Sequence, residues 1–110
     1  MGAFIKGDVV VVPFPFSDLS ASKRRPALVL ADLNGDDVIL CQITSQAIRD
    51  SYAIPLRETD FVHGGLRQMS NIRPNRLFTA DSALILYRIG RISDATNEAV
   101  IAAILTILRA

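Results

Sequence analysis

Arg25 ends the basic triplet Lys23-Arg24-Arg25 and directly precedes Pro26, and Thr44-Ser45-Gln46 closes a later apolar run. A guanidinium offers a planar fork of donors that matches phosphate, and a hydroxyl both donates and accepts. Pro26 biases Arg25 to extended backbone, which aims its side chain. Between the two segments lies Asn34-Gly35, a strong hairpin signal. The strands on either side of it therefore run antiparallel, and Arg25 and Thr44 fall at one end of the sheet. Such a convergence can grip a phosphate and stabilise charge that develops on it. From the residues alone a second reading stands beside this one: an arginine cluster on a solvated rim, and a threonine closing a strand.

The other common catalytic constellations are missing from the sequence. His63 is the single histidine, so a Ser-His-Asp order has no room to form. Cys41, the single cysteine, sits in the apolar run Val38-Ile39-Leu40-Cys41 and reads as a buried core thiol. There is no glycine loop of phosphate-binding spacing, and no His, Cys and carboxylate cluster at metal-ligand spacing. Asp36-Asp37 falls on a turn, where such residues shape backbone. The chemistry expected is that of arginine, hydroxyl and amide, with no metal and no cofactor. The formal net charge is only +1, but ten of the twelve cations are arginine. They gather at Lys23-Arg24-Arg25 and at Arg67, Arg73 and Arg76, away from most of the acids, such as Asp50, Glu58 and Asp60.

The elements that must position these residues are short strands. Val9-Val10-Val11-Val12 is a continuous β-branched run and reads as a buried strand. Pro13 and Pro15 are expected to end it, with Phe14 and Phe16 plugging the core or a dimer seam. Residues 17–25 read as an exposed loop. Strands follow over 26–31 and 38–43, and an edge strand containing Pro55 over 52–56. His63-Gly64-Gly65 reads as a loop, 69–73 and 76–79 as strands broken by Pro74-Asn75, and 84–92 as a further apolar run opening on a helical turn. Then the period changes. Ser93 and Asp94 are N-cap residues, and Val100, Ile101, Ile104, Leu105 and Leu108 share a helical face. A helix this apolar is expected to be covered on more than one side, by a large core or a dimer partner.

Half of the 110 residues are hydrophobic, enough for one domain over 1–110 that needs no disulfide. The fold expected is mainly β with a C-terminal α-helix: a small, strongly bent barrel of antiparallel strands with the helix packed on it. No signal peptide is visible, Lys6 spoils the myristoylation pattern that Met1-Gly2 opens, and no apolar run spans a bilayer. A cytoplasmic location without membrane association is expected.

Three stretches, taken together, resemble the MazF/PemK toxin family of toxin–antitoxin systems. They are Lys6-Gly7-Asp8-Val9-Val10 with Phe14-Pro15-Phe16; Lys23-Arg24-Arg25-Pro26-Ala27-Leu28-Val29-Leu30; and Ile43-Thr44-Ser45-Gln46 with Gly64-Gly65-Leu66 and Ser70-Asn71-Ile72-Arg73. The resemblance implies an SH3-like, CcdB-like barrel, a homodimer, and metal-independent cleavage of single-stranded RNA by 2′-hydroxyl attack, leaving a 2′,3′-cyclic phosphate and a 5′-hydroxyl. It implies that Arg25 and Thr44 are catalytic and that Lys23, Arg24, Ser45, Gln46, Asn71 and Arg73 contact RNA. A cognate antitoxin is implied as partner, with operator DNA reached only through it. The loop before the basic triplet, Ser20-Ala21-Ser22, lacks the glycine often found there in the family. Two other classes are open to a barrel of this kind: a CcdB-like toxin that binds gyrase without cleaving RNA, and an inactive nucleic-acid-binding barrel. The basic chemistry lies before Pro26 rather than at the end of the helix, which favours the nuclease.

Overall fold

The computed structural model describes residues 4–15 and 22–110. Seven strands and one helix follow in the order β1 (Asp8–Pro15), β2 (Ser22–Asp32), β3 (Asp37–Thr44), β4 (Ile54–Leu56), β5 (Phe61–Gly64), β6 (Ser70–Asp81), β7 (Tyr87–Ile92) and α1 (Asp94–Arg109). All pairings are antiparallel, in the sheet order β4-β6-β3-β2-β1-β7-β5. Leu56 of β4 and Phe61 of β5 come from opposite edges of that sheet yet pack in one core with Val9, Leu28, Ile43 and Ile72. The sheet therefore curls on itself, and Val100 and Ile104 of α1 close the same core. The expected mainly-β fold with a C-terminal helix is what forms.

A second apolar cluster, with Val10, Val12, Ala27, Val29 and Leu40, lies on the other face of the central strands. Alternate residues of β1 feed the two cores, which is why its sequence is continuously β-branched instead of alternating. Phe14 belongs to the second cluster and meets Phe78 edge-on, ring centroids 5.1 Å apart. Phe16 and residues 17–21 lie outside the described residues, so the expected plug and loop there are untouched.

Four sequence expectations change. Pro13 does not end β1, which pairs with β2 as far as Pro15↔Ser22, Pro15 being its last described residue. Val11 turns its carbonyl toward the β7 side, where it accepts from the Leu86 N–H at 2.9 Å. Pro13 and Pro15, two and four residues on, present their missing N–H to the same side, and β7 pairs no further than Val11. Lys23, Arg24 and Arg25 are strand residues of β2, opposite Phe14, Pro13 and Val12, and not a loop. The strand predicted in two pieces around Pro74-Asn75 is continuous as β6. Its register against β3 shifts between Cys41↔Leu77 and Ile43↔Ile72, and the bulge absorbs the proline. His63 and Gly64 lie in β5, paired with β7, rather than in a loop. The edge strand at Pro55 is β4, paired only with β6.

Ser93 caps α1 by accepting from the Thr96 N–H. The expected stripe splits. Val100 and Ile104 are buried and Ile101 is half-buried, whereas Leu105 and Leu108 stand 42% and 71% exposed. Among the described residues no helix is long and apolar enough to cross a membrane.

Asp8 is fully buried beside the β1–β7 seam. Its carboxylate accepts from the Ile5 N–H at 3.0 Å and pairs with Arg91 at 2.8 Å and Arg88 at 3.4 Å. Gly7, at φ +93°, makes the approach to it, its carbonyl accepting from the Ile92 N–H. The Lys6-Gly7-Asp8 opening is thus a device that ties the entry of β1 to β7.

Candidate functional site

Arg25 and Thr44 meet because of the β2–β3 register. The β2–β3 ladder closes at Ala27↔Gln42, and Arg25 and Thr44 each lie two residues beyond it on their own strands. Steps of two place Arg25 on the sheet face of Ala27 and Val29, and Thr44 on that of Gln42 and Leu40. The two side chains accordingly line one open pocket of about 290 Å³ with Arg24, Pro26, Ile43, Ser45, Leu66, Arg67, Gln68 and Ser70.

Thr44 is only 6% exposed. Its Oγ1 accepts from the Gln46 N–H at 3.2 Å, which leaves the hydroxyl hydrogen to donate elsewhere. Ser45, one residue past the strand, is exposed at the rim. Arg25 is half-buried and Arg24 exposed, so the two differ in how far they stand in solvent.

The remaining expected RNA contacts lie off this pocket. Asn71 stands opposite Thr44 on β6, and its Nδ2 donates to the Gln46 carbonyl at 3.3 Å. Arg73 forms an ion pair with Asp50 at 2.9 Å, both side chains mostly covered. Both contacts tie β6 to the segment that follows Thr44. Lys23 lies two residues before Arg25 on β2, exposed. Arg67, Gln68, Leu66 and Ser70 are the lining residues that the sequence reading missed. The available signal was Arg67 in the second arginine group, directly after the family-like Gly64-Gly65-Leu66.

Burial works to raise the Asp50 carboxyl, but it is outweighed by the hydrogen bond from Arg73, the N–H groups of Tyr52 and Ala53, and the arginine charge. The net result lies below the ordinary aspartate value. A depressed folded-state value adds stability that is complete above the unfolded value, about pH 4, and is lost as pH falls through the folded one. Asp50→Asn should therefore lower the urea midpoint at pH 7 and leave it unchanged against wild type at pH 2. An equal loss at both pH values would show that the Asp50 charge is not what holds this segment.

Cys41 is buried, as expected, and its thiol donates to the Arg73 carbonyl at 2.9 Å. Burial, partly offset by that hydrogen bond, pushes its pKa up to about 12, which leaves no thiolate at neutral pH. His63 is exposed on β5, far along the sheet from β3. A Cys–His pair does not form. Among the described residues no three His, Cys, Asp or Glu side chains gather as a metal-binding group.

A family model described as the PemK-like, MazF-like toxin of type II toxin–antitoxin systems matches residues 5–108. No curated protein matches the chain at a significant level. Among solved structures, a mycobacterial endoribonuclease in complex with its cognate antitoxin superposes with a TM-score of 0.76 at 14% identity, over 96% of this chain and 95% of that one. A MazE–MazF structure from Deinococcus radiodurans gives 0.76 at 17% identity, again over 96% and 95%. A second mycobacterial endoribonuclease gives 0.71 at 18% identity, over 98% and 93%. At these identities the superpositions speak for a shared fold.

Proposed function

The chain belongs to the PemK-like, MazF-like toxin family of type II toxin–antitoxin systems, and from that premise we propose that it is an endoribonuclease that cuts single-stranded RNA without a metal. The observation that supports this most is the placement of Arg25 and Thr44 on one pocket, with Arg24, Arg67, Ser45 and Gln68 around them. Two of the structural neighbours are named endoribonucleases, which points the same way.

A pocket of arginines, hydroxyls and amides has no strong nucleophile of its own. RNA brings one. The 2′-hydroxyl oxygen attacks the adjacent phosphorus, the P–O5′ bond breaks, and the products are a 2′,3′-cyclic phosphate and a 5′-hydroxyl. The proton lost from the 2′-oxygen is balanced by the one gained at the 5′-oxygen. In this reading the Arg25 guanidinium donates to the non-bridging oxygens as negative charge builds on the phosphorane. It does not serve as the base, because a guanidinium stays protonated at neutral pH. Thr44, its oxygen already engaged by the Gln46 N–H, donates its hydrogen to a phosphate oxygen or holds the 2′-hydroxyl in line. Arg24, Lys23, Ser45 and Gln46 attract and guide the strand, and sequence preference comes from unstacked bases. Asn71 and Arg73 act one step back, through Gln46 and Asp50.

The same reading takes the active species as a homodimer restrained by an antitoxin. The exposed Leu105 and Leu108 of α1, and a structural neighbour bound to its cognate antitoxin, support it.

Thr44→Val keeps the shape of the side chain and removes its hydrogen bonding. Cleavage of a mixed-sequence single-stranded RNA in EDTA should fall about 10- to 100-fold, with the same cut sites. Wild-type cleavage that stops in EDTA and returns with a divalent ion would replace this mechanism with a metal-dependent one.

A further inference from the structure

Beside the Arg25–Thr44 pocket lies a second one of about 340 Å³. The two share Leu66, Arg67 and Gln68 as a common wall. Its floor is apolar: Leu56 is buried, and Phe61 and Leu66 pack against the main core. Its rim carries Glu58, and Met69 stands 69% exposed at its mouth, a large apolar side chain left in solvent. An apolar floor edged by a few polar groups is the form of a site for a partly polar ring.

The wall that bears Glu58 is held in place. Glu58–Asp60 is a single 3₁₀ turn, and Asp60 anchors it from three directions. One carboxylate oxygen accepts from the Arg57 N–H at 2.7 Å, the other from the Thr96 hydroxyl at 3.1 Å, and the Asp60 carbonyl accepts from the Ser93 N–H at 2.8 Å. The first turn of α1 therefore fixes this rim, and a ligand would meet it already formed.

We propose that this second pocket takes the base of the nucleotide next to the scissile phosphate, and that Glu58 sets which base is accepted. The inference rests on the nuclease reading of the adjacent pocket. Arg67 borders both pockets, so it reaches the phosphate that joins the nucleotide being cut to its neighbour. The exposed Glu58 carboxylate only accepts hydrogen bonds. It therefore favours a base with an exocyclic amino group, cytosine, adenine or guanine, over uracil, whose single edge donor, N3–H, lies between two carbonyl acceptors that repel a carboxylate. Gln68 and Thr59, which both donate and accept, tolerate any base edge, and Arg57 on the same lining offers donors that any base carbonyl or phosphate can take, which leaves Glu58 as the one lining group that only accepts.

The test is the cleavage-site profile of the whole protein on a randomised single-stranded RNA, for wild type, Glu58→Gln and Arg25→Ala. Glu58→Gln is a conservative change on the surface and leaves the fold intact. The result expected is a wild-type bias against uracil at one position next to the cut. In Glu58→Gln that bias should relax at least about fivefold at that position and nowhere else, with all cuts lost in Arg25→Ala. Identical profiles for wild type and Glu58→Gln, with cuts that still depend on Arg25, would overturn the subsite and leave the nuclease standing. Folded wild type that makes no Arg25-dependent cut in any sequence would overturn both.

Discussion

Arg25→Ala should reduce RNA cleavage on the order of 1,000-fold while the protein stays folded. The size follows from what the guanidinium is asked to do. Removal of one preorganised donor aimed at developing charge costs about 100- to 1,000-fold in rate, and a guanidinium contributes a full positive charge besides. The pocket opens between β2, β3 and the segment after β5, so water enters, and the neighbouring Arg24 and Arg67 retain part of the field. Those two facts keep the loss below that of a fully enclosed site. Arg25→Lys should recover only part of the activity, because an ammonium keeps the charge but not the planar two-donor fork. Circular dichroism and a thermal melt check the fold. Initial rates on a fluorogenic RNA check the chemistry. Activity within about threefold of wild type in Arg25→Ala would remove this residue from the reaction.

Asp8→Ala should produce the largest loss of stability of any single polar substitution named here, about 3 kcal/mol. The buried carboxylate satisfies the Ile5 N–H and two arginines at once. Without it that N–H loses its acceptor at the part-buried entry of β1, and Arg88 and Arg91 lose the charge that draws them over the β1–β7 seam. Their side chains are 47% and 29% exposed and can turn to water, which caps the cost below that of two stranded buried cations. In a domain this small the loss corresponds to a fall in melting temperature of roughly 10–20 °C. Asp8→Asn, with the same shape and no charge, should lie between. Near-wild-type melting of Asp8→Ala would mean that the seam holds without its carboxylate.

Asp8 also illustrates what a sequence conceals. The Lys6-Gly7-Asp8 opening is visible as a motif, but its role depends on Arg88 and Arg91, some eighty residues away, and nothing local marks them as its partners. The elements that could be read were those whose signal is local. The Asn34-Gly35 turn is one, Gly35 sitting at φ +84° between β2 and β3. Others are the Ser93 cap, the β-branched run of β1, the edge strand at Pro55 and the buried Cys41. The errors came from proline and glycine read out of context. Past Val11 the side of β1 that Pro13 and Pro15 face has no paired strand among the described residues, and Pro74 sits in a bulge. Gly64 pairs with Gly90 in a strand. Proline breaks a strand only where its N–H is required, and that is decided by the neighbouring strand.

The site divides in the same way. Arg25 and Thr44 could be placed together because a short hairpin links their strands, whose ladder runs to Ala27↔Gln42, two residues short of both. Arg67 and Gln68 reach the same pocket through the return from β5 to β6, a path with no periodic signal. Asn71 and Arg73 look like surface binders in sequence. In the fold their partners are the Gln46 carbonyl and Asp50, which sequence separation hides. The helix shows the complement: its stripe was legible, but Leu105 and Leu108 stay uncovered within one chain.

The most direct test of the central claim is a chimeric oligonucleotide cut by wild type, with a single 2′-deoxy sugar on the 5′ side of the mapped cleavage site, in EDTA. If the substrate supplies the nucleophile, that one oxygen is indispensable. Cleavage there should vanish, continue at other matching ribonucleotide sites, and leave 5′-hydroxyl ends that a kinase labels without prior phosphatase treatment. Undiminished cleavage at the deoxy position, or 5′-phosphate ends, would show that the nucleophile comes from water or the protein and would contradict the account.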